Sequence, residues 1–232
     1  MVFGGIQKNS FIDFPGKISC VLFLSGCNFD CPYCHNPGLV KSAHRQASVV
    51  EERAIFDFLE SRRTLLEGIV ISGGEPTIAK DLMALCEKIK QMGYPVKLDT
   101  NGSRPEVIKR LLEAELVDYI AMDIKTDPSR YPSFIHKDAR PDEILESIEI
   151  IKDRAPAYEF RTTCIRPIVD GPVIEHISRI IKGAMLYALQ RVNKTEVLHP
   201  EFFEGIGSVY DEADLSHLKS LAEPWVEKCV IR

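Results

Sequence analysis

Three cysteines in one short loop are the residues of this chain best suited to carry chemistry. Cys27, Cys31 and Cys34 have the spacing Cys-x3-Cys-x2-Cys within residues 25–38. Thiolates are the usual protein ligands of iron–sulfur clusters, so this loop could hold three irons of a [4Fe–4S] cluster. The fourth iron would lack a protein ligand, and an open iron can bind a small molecule and pass an electron to it.

Other interpretations of the cysteine loop are a zinc site, a disulfide framework and buried thiols. A structural zinc site needs four ligands, and only His35, directly beside Cys34, is available nearby. Disulfides belong to secreted proteins, and the sequence starts without the basic and apolar segments of a signal peptide. The remaining cysteines stand in apolar stretches and are expected to be buried small hydrophobic residues: Cys20, Cys86, Cys164 and Cys229.

The composition is that of an ordinary globular protein, with 232 residues, 45% hydrophobic and 27% charged. This length supplies one substantial core and is short for two typical domains. A net charge of −5 gives no sign of a surface for polyanions, so we expect no nucleic-acid partner. Apolar runs stay far below the roughly 20 residues of a membrane helix, and an odd number of cysteines fits a reducing cytosol. We therefore expect a cytoplasmic protein without a membrane partner.

Short β-branched runs alternate with amphipathic segments along the chain. The predicted strands are residues 18–24, 68–72, 96–100, 119–124, 158–165, 184–192 and 225–231. The predicted helices are residues 50–63, 81–92, 105–113, 142–152, 173–182 and 213–222. This alternation favours an α/β fold with about six parallel strands, too few to close a regular eight-stranded barrel.

Polar motifs follow the C-terminal ends of three successive predicted strands, where loops of a parallel sheet gather at one mouth. The glycine pair of the Gly-Gly-Glu-Pro run at 73–76 lets the backbone approach a ligand, and its carboxylate can accept hydrogen bonds from an ammonium. Asp99 and Asp123 end the next two strands and would repel each other unless a cation or an ammonium lay between them. Surface turns and strand termini are the alternative interpretations.

Two cationic side chains near these motifs also need an explanation. Arg161 stands inside an apolar predicted strand, where a guanidinium requires a partner. It could make a structural ion pair or bind a ligand. Lys125 follows Asp123 closely and could pair with a carboxylate or be a solvated surface lysine.

The cysteine loop resembles the signature of radical S-adenosylmethionine (SAM) enzymes, in which SAM chelates the open iron. The His-Asn-Pro run that follows Cys34 resembles glycyl-radical-enzyme activases. Residues 7–17 resemble the anaerobic ribonucleoside-triphosphate reductase activating proteins in particular. The resemblance implies a single radical SAM domain over 1–232, with an N-terminal extension at 1–17. It also implies a partial open (β/α)6 barrel of parallel strands at 18–200 and a C-terminal helix and strand at 201–232.

The resemblance also implies the site residues. Cys27, Cys31 and Cys34 would bind the cluster, the glycine loop the methionine amino group, and Asp99 and Asp123 a monovalent cation. Tyr33 and His199 would lie near the adenine, and Arg161 near the cofactor's carboxylate or ribose. The complete set implied for cofactor binding is Tyr33, Ser72, Gly73, Gly74, Glu75, Asp99, Thr100, Asn101, Asp123, Lys125, Arg161 and His199.

The implied reaction is reductive cleavage of SAM at the [4Fe–4S] cluster to a 5′-deoxyadenosyl radical, with no protein acid or base. That radical would install a glycyl radical on a partner enzyme, with anaerobic ribonucleoside-triphosphate reductase as the expected partner. A low-potential donor such as flavodoxin or ferredoxin would supply the electron. The alternatives are pyruvate formate-lyase or another glycyl radical enzyme as partner, a small molecule or RNA base as substrate, and a non-enzymatic metal-binding or electron-transfer module.

Overall fold

The computed structural model describes residues 2–41, 50–193, 196–204 and 209–232. Within these residues one sheet has the strand order β1-β2-β3-β4-β5-β6-β7-β8. The strands are β1 (Phe3–Ser10), β2 (Ser19–Leu24), β3 (Gly68–Gly73), β4 (Val96–Thr100), β5 (Tyr119–Asp123), β6 (Tyr158–Cys164), β7 (Tyr187–Arg191) and β8 (Cys229–Ile231). β1 is antiparallel to β2, and all later neighbours are parallel. The sheet is open, as predicted, because β1 and β8 are its two edges.

Helices connect the successive parallel strands. They are α1 (Pro37–Lys41), α2 (Glu52–Ser61), α3 (Leu82–Gln91), α4 (Pro105–Glu113), α5 (Tyr131–Phe134), α6 (Pro141–Arg154), α7 (Gly171–Ile180) and α8 (Glu212–Ala222). Each longer helix buries one apolar stripe, such as Ile55 and Leu59 of α2, against the sheet. None of the helices in the described part of the chain is long and apolar enough to cross a membrane.

The two faces of the sheet bury different kinds of side chain. Alternate residues of β2 and β3, such as Leu22 and Ile71, join the large core that includes the helices. The opposite face has a smaller apolar cluster of Phe14, Val21 and Val70. Because side chains alternate along a strand, the residues that follow on this second face point into the concave side of the sheet. There the strands carry polar residues towards their C-terminal ends.

Three strands differ from the sequence prediction by more than one residue at an end. β1 was not predicted, because its glycine pair and exposed polar run at Gln7–Asn9 hide the strand pattern. β7 begins at Tyr187 rather than at residue 184, after a turn in which Gly183 has a φ of +77°. β8 begins at Cys229 rather than at residue 225, because Glu223–Trp225 forms a 3-10 helix with a proline near its start.

An ion pair with one buried partner connects Arg232, directly after β8, to Glu159 in the sheet. Glu159 of β6 is 1% exposed, and both of its carboxylate oxygens accept hydrogen bonds from Arg232, at 2.9 and 2.8 Å. The hydroxyl of Tyr119 donates a third hydrogen bond to Glu159 at 3.2 Å. A carboxylate at this depth requires its cation, so the pair with Arg232 holds the C-terminal end of β8 against the sheet.

We expect Arg232→Ala to lower the free energy of unfolding by about 2 kcal/mol, because it leaves Glu159 buried without its cation. This is less than the roughly 3–5 kcal/mol of a fully buried pair, since the Arg232 side chain is 41% exposed. The measurement is denaturant unfolding of both proteins. Arg191→Ala, which breaks a surface pair with Glu212, is the control and should cost less than about 1 kcal/mol. Equal losses in the two variants would contradict the assignment.

Candidate active site

A cavity of about 390 Å³ lies on the concave side of the sheet towards the C-terminal ends of its parallel strands. The loop after β2, the loop after β3 and the ends of β4, β5 and β6 all contribute to its lining. Every site residue predicted from the sequence lines it except His199: Cys27, Cys31, Tyr33, Cys34, Ser72, Gly73, Gly74, Glu75, Asp99, Thr100, Asn101, Asp123, Lys125 and Arg161. The topology therefore gathers these residues from five strand ends into one place.

The three thiols of the cysteine loop lie close enough to influence one another electrostatically. The backbone N–H of Phe29 donates to Cys27 Sγ at 3.4 Å, and Cys34 N donates to Cys31 O at 3.0 Å, which closes the loop tightly. Burial raises the pKa of Cys27 to about 11 and that of Cys31 to about 12. These thiols are protonated at neutral pH in the metal-free protein, so binding of a metal must release protons.

The arrangement of the thiols fits a cluster better than a single ion. Among the residues that the structure describes, no three His, Cys, Asp or Glu side chains are placed to hold one metal ion. A zinc ion requires its ligands around one point. A [4Fe–4S] cluster instead offers a separate iron to each thiolate, so its ligands need not converge. His35, the fourth ligand in the zinc interpretation, lines the cavity, and burial lowers its pKa.

Two adjacent glycines bring the loop after β3 against the cysteine loop. Gly73 has a φ of +125°, and a Cβ at this position would lie 2.2 Å from the backbone oxygen of Leu24. A Cβ on Gly74 would lie 2.0 Å from the backbone oxygen of Gly26. The N–H groups of Gly74 and Glu75 donate to these same two oxygens, at 2.9 and 2.8 Å. The glycines are therefore required for the backbone contact that fixes both loops.

Glu75 joins the glycine loop to the end of β4. Its carboxylate is buried and accepts hydrogen bonds from Thr77 N at 3.0 Å, Thr100 Oγ1 at 2.8 Å and Asn101 N at 2.6 Å. Burial raises its pKa, although these hydrogen bonds oppose the shift. Two of these donors are backbone N–H groups, which can only donate, so the carboxylate of Glu75 is the acceptor in both hydrogen bonds. Glu75 thus positions two loops of the cavity at once.

A second polar link ties the end of β4 to the cysteine loop itself. Asn101 Nδ2 donates to Asn28 Oδ1 at 3.0 Å, and Asn28 Nδ2 donates to Ser103 Oγ at 2.8 Å. Asn101 also accepts from Ser103 N at 3.0 Å. Asn28 and Ser103 were not singled out from the sequence. Asn28 lies between two cluster-loop cysteines, and that position was the one signal available.

Charged side chains alternate across the ends of β4, β5 and β6. Asp123 and Arg161 are register partners on neighbouring strands, and Arg161 Nε donates to Asp123 Oδ1 at 2.7 Å. Arg161 also reaches Asp99 Oδ2 at 3.2 Å, so its guanidinium lies between the two carboxylates. Lys125 donates to Asp123 at 2.8 Å, and Lys97 contacts Asp99. The cation expected between the two aspartates is thus supplied by the protein, and the structural ion pair of Arg161 is present.

These contacts keep Asp123 ionised. Burial alone would raise the pKa of Asp123, but Arg161 and then Lys125 outweigh it and hold that pKa well below its usual range. Burial would lower the pKa of Arg161, but Asp123 and Asp99 raise it further above its ordinary value. The pKa of Lys125 is raised in the same way, chiefly by Asp123, and also exceeds its ordinary value. Lys125 is therefore an ion-paired residue of the cavity rather than a solvated surface lysine.

Two predicted adenine contacts differ in where the structure places them. Tyr33 is buried at the cavity, and its hydroxyl has no hydrogen-bond partner within the described residues, as expected of a polar group that awaits a ligand. His199 does not line the cavity. Its imidazole contacts Asp30 at 3.1 Å and Glu201 at 3.0 Å, while its backbone N–H donates to Pro32 O at 3.1 Å. His199 thus supports the cysteine loop from outside.

Comparison with known proteins assigns the family. The model of the radical SAM superfamily matches residues 21–181. A Methanocaldococcus jannaschii protein named "putative glycyl-radical enzyme activating enzyme" is 37% identical over 233 residues, which cover 98% of this chain and 94% of that protein. The pyruvate formate-lyase-activating enzyme of Listeria monocytogenes is 28% identical over 206 residues, or 83% of this chain and 79% of that enzyme. The chain therefore belongs to the radical SAM superfamily and, within it, to the glycyl-radical enzyme activases.

A solved structure supports the fold. Streptococcus suis SuiB, crystallised with the precursor peptide SuiA, has a TM-score of 0.68 and 14% identity; the match covers 91% of this chain and 48% of SuiB. Membership of the superfamily implies a [4Fe–4S] cluster and SAM. The thiol set, the Gly73–Glu75 loop and the Tyr33 hydroxyl, which has no hydrogen-bond partner in the described part of the chain, fit these groups.

We expect Gly74→Ala to disrupt the contact between the two loops, because its Cβ would overlap the backbone of Gly26. The free energy of unfolding should fall by about 1–3 kcal/mol, and iron bound after anaerobic reconstitution should fall with it. Gly38→Ala is the matched control, since a Cβ there meets nothing within 4 Å. Normal iron content and stability in Gly74→Ala would show that the close contact is dispensable.

We also expect alkylation of Cys27 in the metal-free folded protein to be suppressed at pH 8. Its pKa rises from 9.0 to about 11, so the thiolate fraction and the rate should be about a hundredfold lower than in denaturant. Because the folded pKa is the higher one, the rate should climb as pH rises towards 11. Peptide mass spectrometry of iodoacetamide-treated protein measures this. Equal rates in folded and unfolded protein at pH 8 would be the contrary result.

Proposed function

We propose that this enzyme installs a glycyl radical on a partner enzyme, and that the partner is anaerobic ribonucleoside-triphosphate reductase. The observation that carries the proposal is one cavity lined by the cysteine loop and by polar ends of β3 to β6. One relative is named as a putative glycyl-radical enzyme activating enzyme and another as a pyruvate formate-lyase-activating enzyme. The choice of reductase rests on residues 7–17, and two residues of this segment, Gln7 and Asp13, line the cavity.

In this proposal the thiolates of Cys27, Cys31 and Cys34 hold the cluster. When bound, the cluster and SAM supply the one-electron chemistry that yields a radical able to remove a hydrogen atom from glycine. The residues of the chain bind and orient these groups and exclude water from them. No side chain is assigned as a general acid or base.

The binding groups follow from the chemistry of the lining. Carbonyl and carboxylate oxygens of the Gly73–Glu75 loop can accept hydrogen bonds from the methionine ammonium, because they are acceptors and an ammonium is a donor. The N–H groups of Gly74 and Glu75 are already paired with backbone oxygens of Leu24 and Gly26. Arg161 and Lys125 are the cations suited to the methionine carboxylate or the ribose. Tyr33 is suited to the adenine. His199 is left out, since its imidazole pairs outside the cavity lining.

Three further points belong to the proposal. A loop of the partner enzyme inserted at the cavity would complete the exclusion of water. Pyruvate formate-lyase is the second candidate partner, because the Listeria relative is named for it. A low-potential protein such as flavodoxin or ferredoxin would donate the electron. A monovalent cation beside Asp99 and Asp123 is not included, because both carboxylates already pair with protein cations: Lys97, Arg161 and Lys125.

The test is anaerobic reconstitution of the cluster, reduction with dithionite and addition of SAM, with either purified reductase or purified pyruvate formate-lyase present. We expect 5′-deoxyadenosine by chromatography and a glycyl-radical signal by electron paramagnetic resonance on the reductase. Cys31→Ala should reduce both signals to background, because the cluster loses a ligand. Cys86→Ala, which removes a buried thiol of α3 outside the cavity lining, is the matched control.

The outcomes separate the parts of the proposal. A glycyl radical on pyruvate formate-lyase alone would replace the proposed partner by the second candidate. 5′-Deoxyadenosine without a radical on either enzyme would contradict both partners. Absence of 5′-deoxyadenosine from cluster-loaded protein would overturn the proposed reaction.

A further inference from the structure

A buried lysine below the cavity is not used by the function described above. Lys97 of β4 is 1% exposed, on the concave face of the sheet two residues before Asp99. Its register partner on β3 is Val70, and its ammonium lies 5.8 Å from the ring centre of Tyr119. An ammonium in such surroundings is costly to bury unless a carboxylate pairs with it. Lys97 meets this requirement through Asp99 Oδ1.

This contact completes a set in which each oxygen of both aspartates has a protein donor. Asp99 Oδ1 receives Lys97, and Asp99 Oδ2 receives Arg161 at 3.2 Å and Ser72 at 3.3 Å. Asp123 Oδ1 receives Arg161 Nε at 2.7 Å, and Asp123 Oδ2 receives Lys125 at 2.8 Å. A metal cation bound to these carboxylates would lie beside the charges of Lys97, Arg161 and Lys125, and that like-charge repulsion opposes its binding. The side chains present therefore do not fit a monovalent cation between Asp99 and Asp123.

We propose that Lys97 is a positioning residue that replaces a metal cation: its ammonium holds Asp99 from below the cavity, and SAM binding in this enzyme is independent of monovalent metal ions. The inference rests on the proposed use of this cavity for SAM. Lys97 does not line the cavity and acts through another residue. With Asp99 held at one oxygen by Lys97, its other oxygen orients Arg161, which faces the cavity. Arg161 is thereby fixed from two sides, by Asp99 and by Asp123.

A lysine differs from a bound metal ion in one way that matters here. Its ammonium is attached to β4 and cannot be diluted away or exchanged. The arrangement of Asp99 and Arg161 is therefore complete before any ligand arrives, whatever ions the solvent contains. Removal of the ammonium should leave Asp99 Oδ1 without its cationic donor, so that a small cation from solution can take over the pairing.

The test is calorimetric measurement of the Kd of SAM with the anaerobic, cluster-loaded protein in potassium chloride and in choline chloride. For the unmodified enzyme we expect the two Kd values to agree within about twofold. For Lys97→Met we expect the Kd in choline chloride to rise about tenfold, the loss typical of a hydrogen bond to a charged group. Potassium should restore part of that loss. Iron content and circular dichroism would confirm that the variant holds its cluster and folds.

Lys90→Met is the matched control. Lys90 contacts both oxygens of Asp118, at 2.8 and 2.9 Å, and neither residue lines the cavity. Its Kd for SAM should equal that of the unmodified enzyme in both salts. A normal Kd for Lys97→Met in choline chloride would overturn the inference.

The comparison of the two salts with the unmodified enzyme needs no variant, so it can contradict the inference even if Lys97→Met fails to fold. Tighter SAM binding in potassium than in choline would show that a metal ion binds despite Lys97, and the inference would fail while the proposed function stands. Failure of SAM to bind in either salt would overturn the proposed function and the inference together.

Discussion

The backbone contact between the loops after β2 and β3 is the constraint on which the rest of the site depends. The N–H groups of Gly74 and Glu75 donate to backbone oxygens of Leu24 and Gly26. A side chain on Gly73 or Gly74 would break that contact. Because β2 and β3 are parallel neighbours, their C-terminal ends arrive at the same level of the sheet. The cysteine loop is therefore held by the scaffold before any metal binds.

Further hydrogen bonds connect this contact to the neighbouring strand ends. The carboxylate of Glu75 extends the link to Thr100 and Asn101 of the next strand end, and Asn101 returns it to the cysteine loop through Asn28. The loops share hydrogen bonds in a closed circuit, so displacement of one loop leaves buried donors of another without partners. Such an unpaired buried group costs more than the hydrogen bond contributes, which is why the circuit is rigid.

The deeper part of the cavity is ordered by charge. Arg161 lies between Asp99 and Asp123, and Lys97 and Lys125 complete the pairs from below and from the adjoining loop. Burial strengthens these attractions and also makes any unpaired member costly, so the five side chains depend on one another. The result is a cavity floor whose hydrogen-bond donors are already directed when a ligand enters.

The sequence alone determined the chemistry and the class of fold. Two features depend only on the local order of residues along the chain: the spacing of Cys27, Cys31 and Cys34, and the alternation of strand and helix. Both can be identified from the sequence directly. The positions of the polar motifs at strand ends were enough to predict that Gly73, Asp99 and Asp123 share one cavity, because parallel strands end at one edge. The place of Arg161, inside a predicted strand, came only from the family resemblance.

Only the tertiary structure decided which charged side chains pair with each other. Lys97 looks like an ordinary polar residue in a strand, and only the register of β3, β4 and β5 shows that it faces the cavity floor beneath Asp99. His199 is far from the cysteines along the chain, and its packing against Pro32 from outside depends on a connection with no local pattern. Strand β1 was hidden for the same reason, since its stability comes from pairing with β2 rather than from its own residues. Local sequence fixes residue types and periodicity, whereas contacts between distant segments depend on register and burial, which exist only in the folded chain.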